Sequence, residues 1–300
     1  MEQLHKQEFQ QRYELLLPAI QTLGKEAVRL FDGREIEKWD KPDGTKVTTA
    51  DINLNQQWID IIAMNFPDDL VWGEEGCNIP EGQFGTKGDL EAAGKRWMWL
   101  IDPIDGTSGF WRAYQSNERS DCSSAIMITA FAPGETLPTL SAVHNPFIRH
   151  PFTVIASEQY GTEYYTTRAK EPRQVFIPSS SVTKMSEVER FEENRWVGAV
   201  PDLRVIKDMA PYARKVRTSS VGAAMSRLAL GDIDIVAFPG PANPHDVSPG
   251  ALIAHQAGAV VTDLNGKPYN EIDWRVGPLD GCLGTVNQHL TDDFVAKLAA

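Results

Sequence analysis

Residues 96–107 read Arg-Trp-Met-Trp-Leu-Ile-Asp-Pro-Ile-Asp-Gly-Thr, a short apolar run that ends in two aspartates three positions apart. The run from Arg96 to Ile101 is too short for a typical helix and predicts a buried strand. Asp102 to Asp105 has the composition of a β-turn, which brings its first and fourth Cα atoms within about 7 Å. A continued strand would point the two aspartates to opposite faces. We therefore expect a turn that lets both carboxylates converge.

Two converging carboxylates need a compensating charge. At about 4 Å they repel each other by about 4 kcal/mol at an effective dielectric constant near 20, so a proton, an arginine or a metal must be present. Hard oxygen ligands with no nearby Cys or His favour Mg²⁺ or Mn²⁺ over zinc. Gly106 and Thr107 offer N–H groups, and a helix starting there would suit a phosphate oxygen. The pattern indicates phosphoryl chemistry, unless these residues only cap a turn or helix.

The segments that flank this motif follow two different patterns. Apolar residues at three- and four-residue steps predict helices from Lys6 to Asp32, kinked at Pro18, and from Asp51 to Phe66. The Gly-rich, charged residues 78–95 predict a surface loop. The next predicted strands have no helices between them, which indicates an antiparallel sheet. These strands cover residues 124–131, 139–143, 152–157 and 164–167.

Helix and strand alternate after about residue 172, as in an α/β layer. The predicted strands are 173–177, 196–200, 234–238 and 260–264, and the predicted helices are 181–194, 219–230 and 247–257. Three hundred residues suffice for one large or two modest domains. We expect an N-terminal α+β domain, residues 1–172, and a C-terminal α/β domain, residues 173–300.

Composition argues against several classes of protein. The chain has 29 basic and 41 acidic residues, a net charge of −12, which disfavours binding to a nucleic-acid polymer or an anionic membrane by bulk charge. No apolar run approaches the ~18 residues of a spanning helix, and the start lacks a signal-peptide layout. Three cysteines without a CxxC pair predict neither a disulfide framework nor a thiolate zinc site. We expect a cytoplasmic protein.

Five motifs in order resemble those of the inositol monophosphatase superfamily, whose members are Mg²⁺-dependent, lithium-sensitive phosphatases. They are residues 41–51, 72–75, 99–107, 217–224 and 246–258, and the resemblance covers most of the chain. It implies an α+β fold built as a layered αβαβα sandwich, with the active site between the two halves. It also implies a homodimer, as in many relatives.

The resemblance further implies a ligand set and catalytic groups. Two Mg²⁺ ions would be held, with Mn²⁺ as a substitute and a weaker third ion near Asp51. In the family, the counterparts of Glu74 and Thr107 polarise the attacking water, and that of Asp51 hydrogen-bonds the threonine. The N–H groups of Gly106 and Thr107 would hold the phosphate. The implied metal ligands are Glu74, Asp102, the carbonyl of Ile104, Asp105 and Asp246. Taken singly, Asp51 and Asp246 are equally typical of helix caps.

Departures from the family pattern bear on the substrate. Asn55 and Pro239 stand where inositol-type members often carry acidic residues, His245 replaces a tryptophan, and Ser108 replaces a basic residue common in bisphosphate nucleotidases. We predict a phosphomonoesterase acting on a small polyol, inositol or sugar phosphate. The alternatives are a 3′(2′),5′-bisphosphate nucleotidase and a histidinol-phosphate phosphatase. Candidate substrate contacts are His245, Arg112 and Arg217, each of which also suits a surface or structural position.

Two further hypotheses use the same residues. Haloacid-dehalogenase-like phosphatases use an aspartate as a covalent nucleophile in a similar motif, but the spacing here has one residue too many. A catalytically silent relative would bind phosphate or metal without turnover. The presence of every expected metal carboxylate disfavours this second hypothesis.

Overall fold

The structure is a computed structural model that describes residues 2–42, 44–77, 94, 96–166, 172–177, 180–188, 190–193, 214–215 and 219–299. The helices are α1 (Glu2–Gly33), α2 (Thr49–Asn65), α3 (Thr107–Ser116), α4 (Val221–Ala229), α5 (Pro244–Gln256) and α6 (Gln288–Leu298). The strands are β1 (Lys38–Asp40), β2 (Lys46–Thr48), β3 (Leu70–Gly73), β4 (Gly76–Cys77), β5 (Met98–Asp105), β6 (Ala125–Phe131), β7 (Leu140–Asn145), β8 (Phe152–Ser157), β9 (Gly161–Thr166), β10 (Arg173–Val175), β11 (Arg190–Glu193), β12 (Arg214–Lys215), β13 (Ile235–Phe238), β14 (Val260–Thr262) and β15 (Cys282–Thr285). Short 3₁₀ helices span Arg119–Asp121, Met185–Glu187 and Tyr269–Glu271.

The larger sheet has the strand order β10-β9-β8-β7-β6-β5-β3-β4. From β5 to β10 each strand is antiparallel to its neighbour, which confirms the predicted antiparallel run. Strand β3 lies parallel to β5. Every residue of β5 is buried. A strand covered on both faces needs apolar residues at successive positions, which explains the continuous run from Trp97 to Ile101.

Helices cover both faces of this sheet, and a second sheet lies beyond one of them. Trp99 packs with residues of α1 and α2, whereas its neighbour Met98 packs with α4 and α5. The same two helices pack through Val236 against the second sheet, whose order is β12-β11-β13-β15-β14. Ile235, on the other face of β13, packs against α6. The predicted α+β class and αβαβα layering are confirmed.

A buried ion pair fastens α1 to the sheet. Arg12 donates to Asp69 at 2.9 and 2.5 Å, and Trp99 Nε1 donates to the same carboxylate at 2.7 Å. The guanidinium also stacks 4.3 Å from the ring centre of Phe66 and 4.7 Å from that of Trp97. The long first helix is therefore fixed by polar as well as apolar contacts.

The predictions for the second half need one correction. The predicted helix over 181–194 is wrong, because its described residues contain only the 3₁₀ turn Met185–Glu187 and strand β11. Glu187 accepts hydrogen bonds from the N–H groups of Thr183 and Lys184, which closes a tight local turn, while β11 pairs with β13 in the sheet. Residues 196–200 and most of the predicted loop 78–95 lie outside the described residues.

Two further observations concern organisation. Strand β10 follows residue 172 but pairs with β9 in the larger sheet, so the division into domains 1–172 and 173–300 stays a prediction.

None of the described helices combines the length and apolar character that a bilayer-spanning segment requires.

Candidate active site

A β-bulge, rather than a turn, follows the apolar part of β5. Asp102 lies opposite Met127 of β6 and Asp105 lies opposite Ala125, so three steps along β5 match two along β6. The extra residue reverses the alternation of side chains that a regular strand would impose. Pro103 suits this position because it has no N–H to donate to the ladder. The predicted turn is therefore wrong, although the two aspartates do come close enough to repel each other.

Gly106 carries the chain from this bulge into α3. It is the N-cap residue and has a left-handed φ of 86°. A Cβ at this position would lie 2.2 Å from the carbonyl oxygen of Ser219, so only glycine fits. The first N–H groups of a helix have no intrahelical acceptor. Backbone donors at Gly106 and Thr107 thus follow directly after the two aspartates.

Asp51 connects α2 to Thr107. Its Oδ2 accepts hydrogen bonds from the N–H (2.8 Å) and the hydroxyl (2.5 Å) of Thr48, which is the N-cap of α2. Its Oδ1 lies 3.2 Å from the Thr107 hydroxyl, which is also 3.2 Å from the carbonyl oxygen of Ile104. Burial raises the pKa of Asp51 to about 7. Asp51 thus belongs to a capping box without being the cap, and it makes the contact with Thr107 that the family resemblance implies.

Burial and mutual repulsion perturb the remaining carboxylates. Asp102 and Asp105 are each only 2% exposed. Burial, followed by the charges of Glu74, Asp105 and Asp246, raises the pKa of Asp102 well above its usual value. Burial raises the pKa of Asp105 to about 8 and also raises that of Asp246. The acidic residues from distant parts of the sequence therefore share one electrostatic environment.

A lysine lies against this acidic cluster. Lys41, in the loop between β1 and β2, places Nζ 3.0 Å from Oε1 of Glu74 and 2.5 Å from Oε1 of Glu75. Although burial opposes its charge, the two glutamates raise the pKa of Lys41. No three His, Cys, Asp or Glu side chains in the described ranges surround a common point as a metal site would. Lys41 contacts Oε1 of Glu74, so the ammonium group and a cation would compete for this carboxylate.

The donor set nevertheless fits a hard divalent cation. Oδ1 of Asp102 is buried and has no hydrogen-bond partner in the described part of the chain, a costly arrangement for a charged oxygen. Carboxylate and carbonyl oxygens are the ligands that Mg²⁺ and Mn²⁺ prefer. A cation there would offset the burial and the mutual repulsion that raise the pKa values of Asp102, Asp105 and Asp246.

The second half of the chain anchors Asp105. Ser220 Oγ donates to Oδ2 of Asp105 at 2.6 Å, and the N–H of Gly222 donates to the same oxygen at 3.0 Å. Neither Ser220 nor Lys41 has an individual role in the predictions made from the sequence. Both residues lie in motifs that resemble the family, and this was the one sign in the sequence that they matter. Their contacts with Asp105 and Glu74 depend on the folded chain.

The other candidate residues occupy varied positions. Asn55 packs against Gly73, the residue before Glu74, so closely that a Cβ on Gly73 would lie 1.8 Å from Oδ1 of Asn55. His245 is buried, with Nε2 3.4 Å from Oδ1 of Asp246. Arg112 is exposed on α3, and Arg217 lies outside the described residues. Substrate contacts by these side chains stay predictions.

Comparison with known proteins identifies the family of the chain. The family model described as "Inositol monophosphatase family" matches residues 6–299. The inositol-1-monophosphatase of Synechocystis sp. is 25% identical over 256 residues, 84% of this chain and 78% of that protein. The 3′(2′),5′-bisphosphate nucleotidase of Haemophilus influenzae is 24% identical over 88% of this chain and 89% of its own length.

Solved structures share the fold. The crystal structure of an IMPase/NADP phosphatase complexed with NADP and Ca²⁺ has a TM-score of 0.74 at 20% identity, and the match covers 97% of this chain and 96% of that one. Five ordered motifs, the layered fold and a match over nearly the whole length lead to one conclusion. The chain belongs to the inositol monophosphatase family and is a phosphoric monoester hydrolase.

Proposed function

We propose that this protein is a Mg²⁺- or Mn²⁺-dependent phosphomonoesterase that hydrolyses a small polyol, inositol or sugar phosphate. The observation that carries the proposal is the group of buried carboxylates with raised pKa values beside the N-terminus of α3. The similarity to an inositol-1-monophosphatase supports the substrate class. Lithium sensitivity and a homodimer belong to the proposal through the family resemblance alone, whereas a cytoplasmic location belongs to it through the three cysteines without a CxxC pair.

The proposed ligands would hold two divalent cations, or three with Asp51. They are Glu74, Asp102, the carbonyl of Ile104, Asp105 and Asp246. Bound cations of this kind neutralise phosphate charge and lower the pKa of the attacking water. These ligands come from β3, β5 and α5 together with their adjoining turns, so the site assembles only when both halves of the chain are folded.

The chain's own groups orient the reactants. The N–H groups of Gly106 and Thr107, at the positive end of α3, would bind the phosphate oxygens. The single hydroxyl proton of Thr107 has two acceptors at 3.2 Å, Oδ1 of Asp51 and the carbonyl oxygen of Ile104. With that proton directed to Asp51, the Thr107 oxygen would accept a hydrogen bond from the attacking water, and Glu74 would polarise the same water.

The test is phosphate release by the purified protein. Inositol 1-phosphate, sugar phosphates, histidinol phosphate and adenosine 3′,5′-bisphosphate would be compared in Mg²⁺, in EDTA and in Mg²⁺ with added lithium. Asp102→Asn should abolish turnover, whereas Asp60→Asn, an exposed aspartate on α2, should not change it. Full activity of Asp102→Asn, or activity unaffected by EDTA, would contradict the proposal.

The second candidate function is a 3′(2′),5′-bisphosphate nucleotidase. Similarity to the Haemophilus influenzae nucleotidase extends over 88% of this chain. A kcat/KM for adenosine 3′,5′-bisphosphate above that for every polyol and sugar phosphate would favour it. Metal-dependent ligand binding without hydrolysis of any substrate would favour the catalytically silent relative instead.

A further inference from the structure

Ser220 is not one of the expected metal ligands, but it contacts one of them, Asp105. We propose that Ser220 is a positioning residue that fixes which oxygen of Asp105 faces the cation. The inference rests on the proposed function, because it takes Asp105 as a metal ligand. It assigns Ser220 to the geometry of the cation site, in addition to its place at the start of α4.

Two donors occupy the same oxygen of Asp105. The Ser220 hydroxyl lies 2.6 Å and the Gly222 N–H 3.0 Å from Oδ2. A carboxylate has about four acceptor positions, two on each oxygen, so the pair of donors fills Oδ2. Asp105 therefore presents Oδ1 alone and ligates through one oxygen.

The direction of the Ser220 proton is also fixed. Ser220 is the N-cap of α4, and its Oγ accepts the N–H of Ala223 at 3.0 Å. Since a serine hydroxyl has one proton and the oxygen already accepts from the helix, that proton is directed to Asp105. The side chain is completely buried and held from both sides.

Packing restricts movement of this segment. A Cβ on Gly222 would lie 2.0 Å from Sδ of Met127, the β6 residue paired with Asp102. The start of α4 is thus pressed against the strand beside the bulge. Asp105 and Ser220 are 115 positions apart in sequence, so this contact joins the two halves of the chain at the cation site.

A purely structural role predicts a different result from a positioning role. If Ser220 were only a helix cap, its loss would lower the melting temperature and leave cation affinity unchanged. A matched control exists in Asn287, the N-cap of α6, which accepts the N–H of Leu290 at 3.0 Å. Asn287→Ala removes a comparable cap from a helix that supplies none of the proposed ligands.

The experiment measures Mn²⁺ binding to the full chain by electron paramagnetic resonance of free Mn²⁺, together with melting temperatures. Ser220→Ala should weaken Mn²⁺ binding about 10- to 100-fold, the range found when hydrogen-bond partners of metal ligands are removed. Ser220→Thr, which keeps the hydroxyl, should restore affinity to within a few-fold of the wild type. Asn287→Ala should lower the melting temperature and retain wild-type Mn²⁺ affinity.

Wild-type Mn²⁺ affinity in folded Ser220→Ala would overturn the inference and leave the proposed function intact. If Ser220→Ala does not fold, Ser220→Cys carries the same test, because a thiol is a weak donor of similar shape. A wild-type protein that binds no Mn²⁺ and releases no phosphate would overturn the proposed function and this inference together.

Discussion

Replacing Gly106 by alanine should destabilise the protein in two ways, through backbone strain at a left-handed φ and through a steric clash with Ser219. Gly106 has a φ of 86°, and a Cβ there would lie 2.2 Å from the backbone oxygen of Ser219. Gly134 has almost the same φ, 85°, but a Cβ there would have no atom within 4 Å. Gly134→Ala therefore carries the backbone strain without the steric clash, and it is the matched control for Gly106→Ala.

The expected magnitudes follow from these two environments. The left-handed conformation costs a non-glycine residue about 1–2 kcal/mol in either variant. Overpacking against Ser219 adds about 1–3 kcal/mol in Gly106→Ala, so its free energy of unfolding should fall by about 2–5 kcal/mol. Relief of the clash needs a shift on the order of 1 Å next to the N–H groups that we propose as phosphate donors, and such a misplacement can lower activity about 100-fold.

Urea denaturation followed by tryptophan fluorescence measures the first effect, and phosphate release at saturating Mg²⁺ measures the second. Gly134→Ala should keep wild-type turnover, and its free energy of unfolding should fall only by the backbone strain of about 1–2 kcal/mol. The reasoning is refuted if Gly106→Ala is as stable as Gly134→Ala and retains turnover within a few-fold of the wild type.

Three further predictions test other parts of the molecule. Arg12→Met leaves the buried Asp69 carboxylate without its guanidinium, so the free energy of unfolding should fall by about 3–5 kcal/mol in urea titrations; a loss below about 1 kcal/mol would contradict this. Burial lowers the pKa of His144 from 6.5 to about 4, so the unfolded chain binds more protons between these values. Stability should therefore rise with pH in that window, by at most about 1.4 kcal/mol per pH unit from this residue, and His144→Phe should flatten that part of the profile. Lys41→Met should lower the melting temperature in EDTA and tighten Mn²⁺ binding in calorimetry, because the ammonium group competes for Glu74; weaker binding would mean that Lys41 supports the cation instead.

The sequence was most informative where one local cause decides the structure. The apolar run from Arg96 to Ile101 predicts a buried strand, and a buried strand, β5, forms there. Its continuation to Asp105 depends on pairing with β6, a tertiary contact. Since Asp and Pro commonly end strands, the local signal favoured a turn, and no property of residues 102–105 taken alone distinguishes that turn from a bulge.

Long-range contacts account for the rest of what the sequence did not reveal. The five motifs identified the acidic residues but not the hydrogen bond from Ser220 to Asp105, which spans 115 positions. Residues 181–194 failed as a helix prediction because β11 gains partners in a sheet assembled from later segments. The sequence motifs therefore identified the acidic residues of the candidate site, whereas the orientation of each side chain could be described only in the folded chain.

The carboxylates of the candidate site differ in whether a donor from the described chain contacts them. Asp51 is held by Thr48, Asp105 by Ser220 and Glu74 by Lys41, so each has a donor from the chain itself. Asp102 has a buried oxygen without a hydrogen-bond partner in the described residues, and its burial, followed by the charges of four neighbouring carboxylates, raises its pKa. A cation bound at Asp102 would therefore relieve a repulsion that no donor in the described residues offsets, which supports the proposed role of Asp102 as a metal ligand.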